Sequence, residues 1–420
     1  MSKHLLKEIT SKIVSGATPT GGKGAYKGGD YSLIRSQNVL DMSFLREGLV
    51  YINDEQAKKL DGVKVESGDV LFNITGDSIC RCCIVPDDIL PARVNQHVAI
   101  IRPKSVNSAY LMYYLQYLKP YLMSICGNGS SRNALTKDSL EKLEIEISPF
   151  SNSIAEILSS LDKKIINNKR ITSELESFAK TIYDYWFLQF EFPNEEGKPY
   201  KSSGGKMVWC EELKREIPDG WEVSTLKNMY EIKRGISYSS KDIESGEGIP
   251  MINLACIDIN RNYRDGELKY YNRKNAPILD EGDMLIATTD LTRNADIVGC
   301  PIITPYDGNK YTYSMDLARI DINCPTLSKW YVYSTLRTES YHNYIKKWAS
   351  GTNVLHLNLD GMNWYTILIP DIAVQKTYAG IIEPIVKKQS LLMKENRELS
   401  SLRDFLLPML MNGQVTFKDN

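Results

Sequence analysis

The chain repeats itself, and no other feature restricts its fold as much. Gly68-Asp69-Val70-Leu71 returns as Gly282-Asp283-Met284-Leu285, and Thr75 returns as Thr289 at the same offset of 214 residues. Gly129 and Asp138 match Gly351 and Asp360 at an offset of 222, and Pro149 matches Pro370 at 221. Ala155, Lys163, Lys164, Glu174 and Leu175 match Ala379, Lys387, Lys388, Glu398 and Leu399, all at 224. Order is kept throughout and the offset drifts slowly, as differences in loop length would make it. A period this long excludes a solenoid of short repeats. It predicts two copies of one globular unit, each followed by the same element.

Within each copy, short runs alternate between apolar and polar residues. Residues 70–74, 97–101 and the set Leu143, Ile145, Ile147 do so in the first copy, and residues 284–286 and 367–369 in the second. Period two between turn residues predicts half-buried strands. Glycine-rich stretches at 21–24 and 127–129 break the runs. Each copy then closes on a long apolar stripe. In the first it runs through Ile154, Leu158, Leu161, Ile165, Asn168, Thr172, Leu175, Ala179, Ile182 and Trp186. In the second it runs through Ile381, Ile385, Lys388, Leu392, Glu395, Leu399, Leu402 and Leu406. The 4-3 spacing is that of a coiled-coil seam, with Asn168, Lys388 and Glu395 as polar insertions that fix register. Pro384 should kink the second helix or sit in its first turn, and Pro408 should stop it. Paired antiparallel, two such helices would hold two globular units at a fixed separation.

The expected class is therefore α+β, with two mostly-β units and two long helices forming an antiparallel coiled coil. The expected boundaries are 1–150 for the first unit and 151–190 for its helix. A polar, turn-rich connector at 191–222, a second unit at 223–372 and a C-terminal helix at 373–412 complete the chain. With 420 residues and 42% hydrophobic content the chain is too long for one ordinary core. The start of the chain shows no apolar signal region, and no run is long and apolar enough to span a bilayer, so a cytoplasmic location is expected. Cys80, Cys82 and Cys83 cluster without a second ligand pair at zinc spacing, which predicts reduced, buried thiols.

Catalytic motifs are missing. Gly16 to Gly24 resembles a phosphate loop, but its lysine is displaced by one position and Gly24 replaces the magnesium-binding hydroxyl. There is no G-x-G-x-x-G after a strand, no H-E-x-x-H, no G-x-S-x-G and no Asp/Asn-Pro-Pro-aromatic tetrapeptide. Asp69 and Asp283 are matched by the repeat, but Gly-Asp before an apolar strand is turn chemistry. No catalytic or metal-ligating residue is expected.

The join between the copies carries a family resemblance. Residues 182–187, 194–207 and 213–221, together with 155–162 and 406–413, look very much like the central and C-terminal regions of Type I restriction–modification specificity subunits. The layout of two related units, each followed by a long helix, is similar to that family over essentially the whole chain. The resemblance implies two target-recognition domains, each reading half of a split, asymmetric site in double-stranded DNA through the major groove. It implies two methyltransferase subunits as partners, carrying S-adenosylmethionine, in an assembly that can add two restriction subunits that hydrolyse ATP with magnesium. It implies no cofactor on this chain. A methyltransferase or nuclease fused to its own reader, or a scaffold without a DNA role, is the rival reading; the missing motifs oppose the first and the join opposes the second.

Candidate DNA contacts follow from side-chain chemistry. Arginine and asparagine carry paired donors and acceptors suited to base edges, and hydroxyls suit phosphates. Both copies place a Gly-hydroxyl loop before a repeat-matched Asp: Ser130, Ser131, Arg132 and Asn133 in the first, Thr352 and Asn353 in the second. Arg35, Gln37, Asn38, Asn95, Gln96, Arg293 and Asn294 offer similar chemistry. The basic cluster Lys163, Lys164, Lys169 and Arg170 is expected to be a solvated helix face.

Overall fold

The strands that open at Gly68 and Gly282 occupy matching places in a computed structural model, which describes residues 1–19, 26, 28–126, 134–244, 246–265, 268–273 and 275–415. The chain divides into two compact units: Met1–Ile166 with Arg397–Asn420, and Asn167–Asn396. In the first, a four-stranded antiparallel sheet runs in the order Thr10–Ser15, Val98–Pro103, Val70–Asn73, Cys82–Ile84. A second four-stranded sheet follows the order Val50–Ile52, Tyr31–Ile34, Ala92–Val94, Lys64–Val65, with its central pair parallel. A ribbon joins Ser2–Leu5 to Glu144–Ile147.

The second unit repeats this plan. Its first sheet runs Tyr230–Arg234, Leu317–Ile322, Met284–Ala287, Pro301–Ile303. Its second sheet again holds one parallel pair, Ile249–Ile252 with Thr312–Tyr313, and its ribbon joins Glu222–Thr225 to Thr366–Ile369. The repeat read from sequence is thus a repeat of topology.

The central strands depart from expectation in one respect: they are buried on both faces, not one. Val70 and Phe72 pack into one core with Ala99 and Ile101, while Leu71 packs into another with Val98 and Ile100. In the second unit Met284 and Ile286 enter one core, and Leu285 and Ala287 the other. Period two survives because each face feeds its own core, one shared with helices and one between sheets.

The repeated Gly-Asp is a turn, as expected. Gly68 and Gly282 both adopt positive φ, near +80°. Asp69 is fully buried and accepts from Arg102 Nε and Nη2 at 2.8 and 2.9 Å and from the Glu66 N–H at 2.8 Å. Asp283 pairs with Arg319 at 3.0 Å and accepts from the Asp280 N–H at 2.9 Å. Burial raises the Asp283 carboxyl above the usual carboxylate range, and Arg319 opposes that shift.

The two long helices are α1 (Ser151–Tyr183) and α2 (Ile372–Met411). The predicted stripe of α1 holds: none of its ten positions is exposed. A π turn, Asp184–Leu188, ends that helix and places Trp186 and Phe187 in an aromatic cluster with Tyr331 and Tyr378.

The stripe of α2 needs correction. Lys388 and Leu402 are exposed, and the inward positions beside Ile385 and Leu392 are Gln389, Asn396 and Arg403. In the first unit Arg403 Nη1 meets Asp162 Oδ1 at 2.7 Å, and Tyr113 donates to the other oxygen at 2.5 Å. In the second, Asn168 Nδ2 donates to Asn396 Oδ1 at 3.0 Å and to Glu395 Oε2 at 2.7 Å, and Gln389 donates to the Thr172 carbonyl at 3.2 Å. In the second unit the facing pairs rise on α1, from Asn168 to Thr172, as they fall on α2, from Asn396 to Gln389, so there the two helices run antiparallel.

Pro384 lies inside α2, past its first turn, and the carbonyl that loses its partner there belongs to Gly380. The helix also continues three residues beyond Pro408. Its N-terminus is set by Asp371, whose carboxylate accepts from the Ala373 N–H at 2.6 Å.

Asp162 and Arg403 are both close to nine-tenths buried. Arg403→Ala leaves that carboxylate without its charge partner, which costs about 3–5 kcal/mol for a buried pair. Urea unfolding of the variant beside the parent checks this. A loss of about 1 kcal/mol or less would give the pair only the worth of an exposed one.

The segment expected to be a polar connector is folded. Met207–Cys210 and Arg215–Pro218 form an antiparallel hairpin. Phe192, Cys210, Ile217 and Trp221 enter the second unit's core, with Phe192 stacked on Trp221 and Tyr200 at 5.0 and 4.6 Å. Seven of the eight cysteines are buried and all are free; burial pushes the Cys80 thiol up to about 12. Among the described residues no helix is long and apolar enough to cross a membrane, and no His/Cys/Asp/Glu group could hold a metal.

Candidate nucleic-acid interface

In the second unit, one end of the four-stranded sheet gathers several loops. Thr289–Asp290 pairs with Leu355–Leu357, which pairs with Ala349–Ser350. The register sets Thr289 opposite His356 and Asp290 opposite Leu355. The chain leaving Asp290 and the hairpin turn before Leu355 therefore emerge side by side. Arg293 and Asn294 lie on the first of these and Thr352 and Asn353 on the second, and all four are exposed. Gly351 makes the turn possible: its φ is +142°, and a Cβ there would meet the Val354 carbonyl oxygen at 2.0 Å.

Asp290 braces the first loop. It is fully buried, and its carboxylate accepts from the N–H groups of Thr292, Ile297 and Val298 at 2.6, 2.7 and 2.8 Å. Thr292 Oγ1 accepts from the Asp296 N–H at 2.8 Å. Both ends of the loop are held, and Arg293 and Asn294 stand between them. At the start of strand Leu317–Ile322, Asp316 accepts from Thr289 Oγ1 at 2.7 Å and from Ser314 Oγ at 3.3 Å.

The first unit builds the same end from different side chains. Thr75 bridges Ala134 as Thr289 pairs with His356, and the Leu135 N–H meets the Ile74 carbonyl at 2.9 Å as Leu357 meets Thr288. The Thr75 hydroxyl meets His97 Nδ1 at 2.6 Å. Gln37 and Gln96 are exposed at this end; Gln96 hydrogen-bonds Thr18 and approaches His97 at 3.2 Å. Arg35 is half covered, donates to the Gly48 carbonyl at 2.5 Å and lies over the Tyr26 ring.

Two expected contacts are corrected. Asn38 is fully buried: its carbonyl oxygen accepts from the Arg35 N–H at 3.0 Å and its amide donates to the Leu45 carbonyl at 2.9 Å, so both faces that could read a base are used. Asn95 is also buried and accepts from the His97 N–H at 3.1 Å, holding the turn that presents Gln96. Ser130, Ser131, Arg132 and Asn133 lie outside the described residues, as do residues 20–24 of the phosphate-loop lookalike.

Sequence reading did not pick out Asp290 or Asp316. The second was within reach. Val98 and Leu317 begin matching strands, which makes Asp316 the repeat equivalent of His97.

The model of the Type I restriction modification DNA specificity domain matches residues 5–177 and 218–401, and the chain belongs to that family. Each match takes in one globular copy and most of its long helix. The Type I restriction enzyme MjaIX specificity subunit of Methanocaldococcus jannaschii is 26% identical over 434 residues, covering 99% of this chain and 93% of that protein. The HindI specificity subunit of Haemophilus influenzae is 23% identical over 449 residues, covering 91% and 94%. The crystal structure of an S subunit from M. genitalium shares the fold, with a TM-score of 0.60 at 13% identity over 100% of this chain and 96% of that one. The function of the chain is DNA sequence specificity in a Type I restriction–modification system, and it is a recognition subunit, not a catalytic one.

Proposed function

We propose that each globular unit reads one half of a split, asymmetric DNA site with the loops at the end of its first sheet. The observation that carries this is the doubled loop end: one backbone frame, built twice, with different exposed polar side chains on each. Shared framing with changed chemistry is what two readers of unlike half-sites require. In this reading α1 and α2 form an antiparallel coiled coil that sets the gap between half-sites. Two methyltransferase subunits bring S-adenosylmethionine, restriction subunits bring ATP and magnesium chemistry, and the assembly works in the cytoplasm. This chain then binds neither nucleotide nor methyl donor by itself. Calorimetry of the isolated chain with S-adenosylmethionine should show no heat beyond dilution, and stoichiometric binding would contradict the division of labour.

Arg293→Ala tests the interface in the assembled methyltransferase. A bidentate contact to a base edge is worth about 1–3 kcal/mol of discrimination. The variant should lose that discrimination at one position of the second half-site and leave the first half-site intact. An even loss of affinity over all sequences, with the salt slope reduced by about one, would make Arg293 a phosphate anchor instead.

A further inference from the structure

We propose that Asp316 is a specificity-determining residue of the second unit, accepting a hydrogen bond from the exocyclic amino group of cytosine or adenine in the major groove. The inference rests on the reading of the loop ends as the DNA interface. Asp316 stands just beyond the strand that begins at Leu317, beside Thr289, at the end that carries Arg293 and Thr352. Its backbone carbonyl accepts from the Thr288 N–H at 2.8 Å, so its place is fixed. Its two carboxylate oxygens each take one neutral hydroxyl, from Thr289 and from Ser314. Among the described residues no lysine or arginine pairs with it, and it is partly, not fully, buried.

A carboxylate without a cation, turned toward a polyanion, is repelled by the phosphates. That cost is offset only where a base offers a donor. In the major groove the donors are the N4 amino group of cytosine and the N6 amino group of adenine; guanine O6 and thymine O4 face a carboxylate acceptor to acceptor. Asp316 therefore selects by rejection as well as by attraction. The first unit supports this assignment independently. At the matching place stands His97, held by the matching threonine hydroxyl at 2.6 Å. The frame is retained while an obligate acceptor is exchanged for a ring that can donate, which is how one scaffold comes to read a different base.

The test uses the full chain assembled with its methyltransferase subunits and a randomised-site DNA library, with methylation read by sequencing. Asp316→Asn keeps the shape and adds a donor. It should lower discrimination about tenfold or more at one position of the second half-site, with the first half-site unchanged. Relaxation at a cytosine or at an adenine supports the proposal and names the base. Asp316→Glu, which keeps the acceptor, should retain the original base preference at reduced rate. Unchanged preference at every position in Asp316→Asn overturns the proposal. So does loss of methylation at all sites by both variants with the assembly intact, which marks a purely structural role. Exchange of residues 223–372 for another member's second unit separates the two claims: if that leaves the second half-site unchanged, the interface reading itself fails.

Discussion

Exchanging residues 1 to about 150 for the first unit of another family member should change one half of the methylated site and leave the other half as it was. Each unit holds its own pair of cores, and each core draws its members from one unit. The exchange also has a structural condition that chain order hides. Leu407, Leu410 and Met411 of α2 belong to the first unit's core, beside Ile154 and Leu158. A graft that ignores them opens a cavity, and each large apolar side chain lost from a core costs about 2–5 kcal/mol. A graft that matches them should switch specificity by several base pairs, each worth about 1–3 kcal/mol. Mapping methylated sites for the chimaera reads the outcome. Both halves changing together would end the modular account.

The second large effect concerns spacing. At about 1.5 Å per residue, α1 and α2 are about 50 and 60 Å long. Four residues inserted into each helix, between the Asp162–Arg403 pair and the Asn168–Asn396 pair, add about one turn, roughly 6 Å. Because the insertion nearly completes a turn, the inward faces stay inward. The preferred spacer should lengthen by about one or two base pairs, at 3.4 Å each, with both half-site sequences unchanged. Two residues inserted instead turn the downstream stripe to the far side of its helix. The Asp162–Arg403 and Asn168–Asn396 pairs can then no longer both form, and assembly should fail. Methylated-site maps of both variants distinguish these results, and an unchanged spacer with full activity after the four-residue insertion would show that the helices are not the ruler.

Much of the fold was legible because it is periodic. Gly-Asp before an apolar run marks a turn and a strand twice over, and α1 shows its stripe through nine positions and the π turn after it through a tenth. The stripe of α2 misled for a physical reason. Ile385, Leu392, Leu399 and Leu406 are common to two possible faces, and the apolar Ile381 and Leu402 favour the wrong one. The true inward face carries Gln389, Asn396 and Arg403, which are tolerated because Thr172, Asn168 and Asp162 meet them. Hydrophobicity cannot announce a polar residue whose partner lies more than 200 positions away.

Candidate contacts could be picked by side-chain chemistry and not by burial. Gln37 and Asn38 offer the same amide, yet one is exposed and the other is spent on the backbone of its own loop. Asp290 and Asp316 were not among the candidates, which were chosen from arginine, amide and hydroxyl side chains. Place in the frame is what distinguishes them: Asp290 braces the loop of Arg293, and Asp316 holds the position in the second unit that His97 holds in the first.

The central claim is that this chain alone decides where its system methylates. Genome-wide mapping of methylated bases in the host, with the chain present, deleted and restored, tests it most directly. The account predicts that deletion abolishes modification at every copy of one split site, and that restoration with an exchanged second unit returns a site altered in one half only. A methylation map unchanged by the deletion would contradict it.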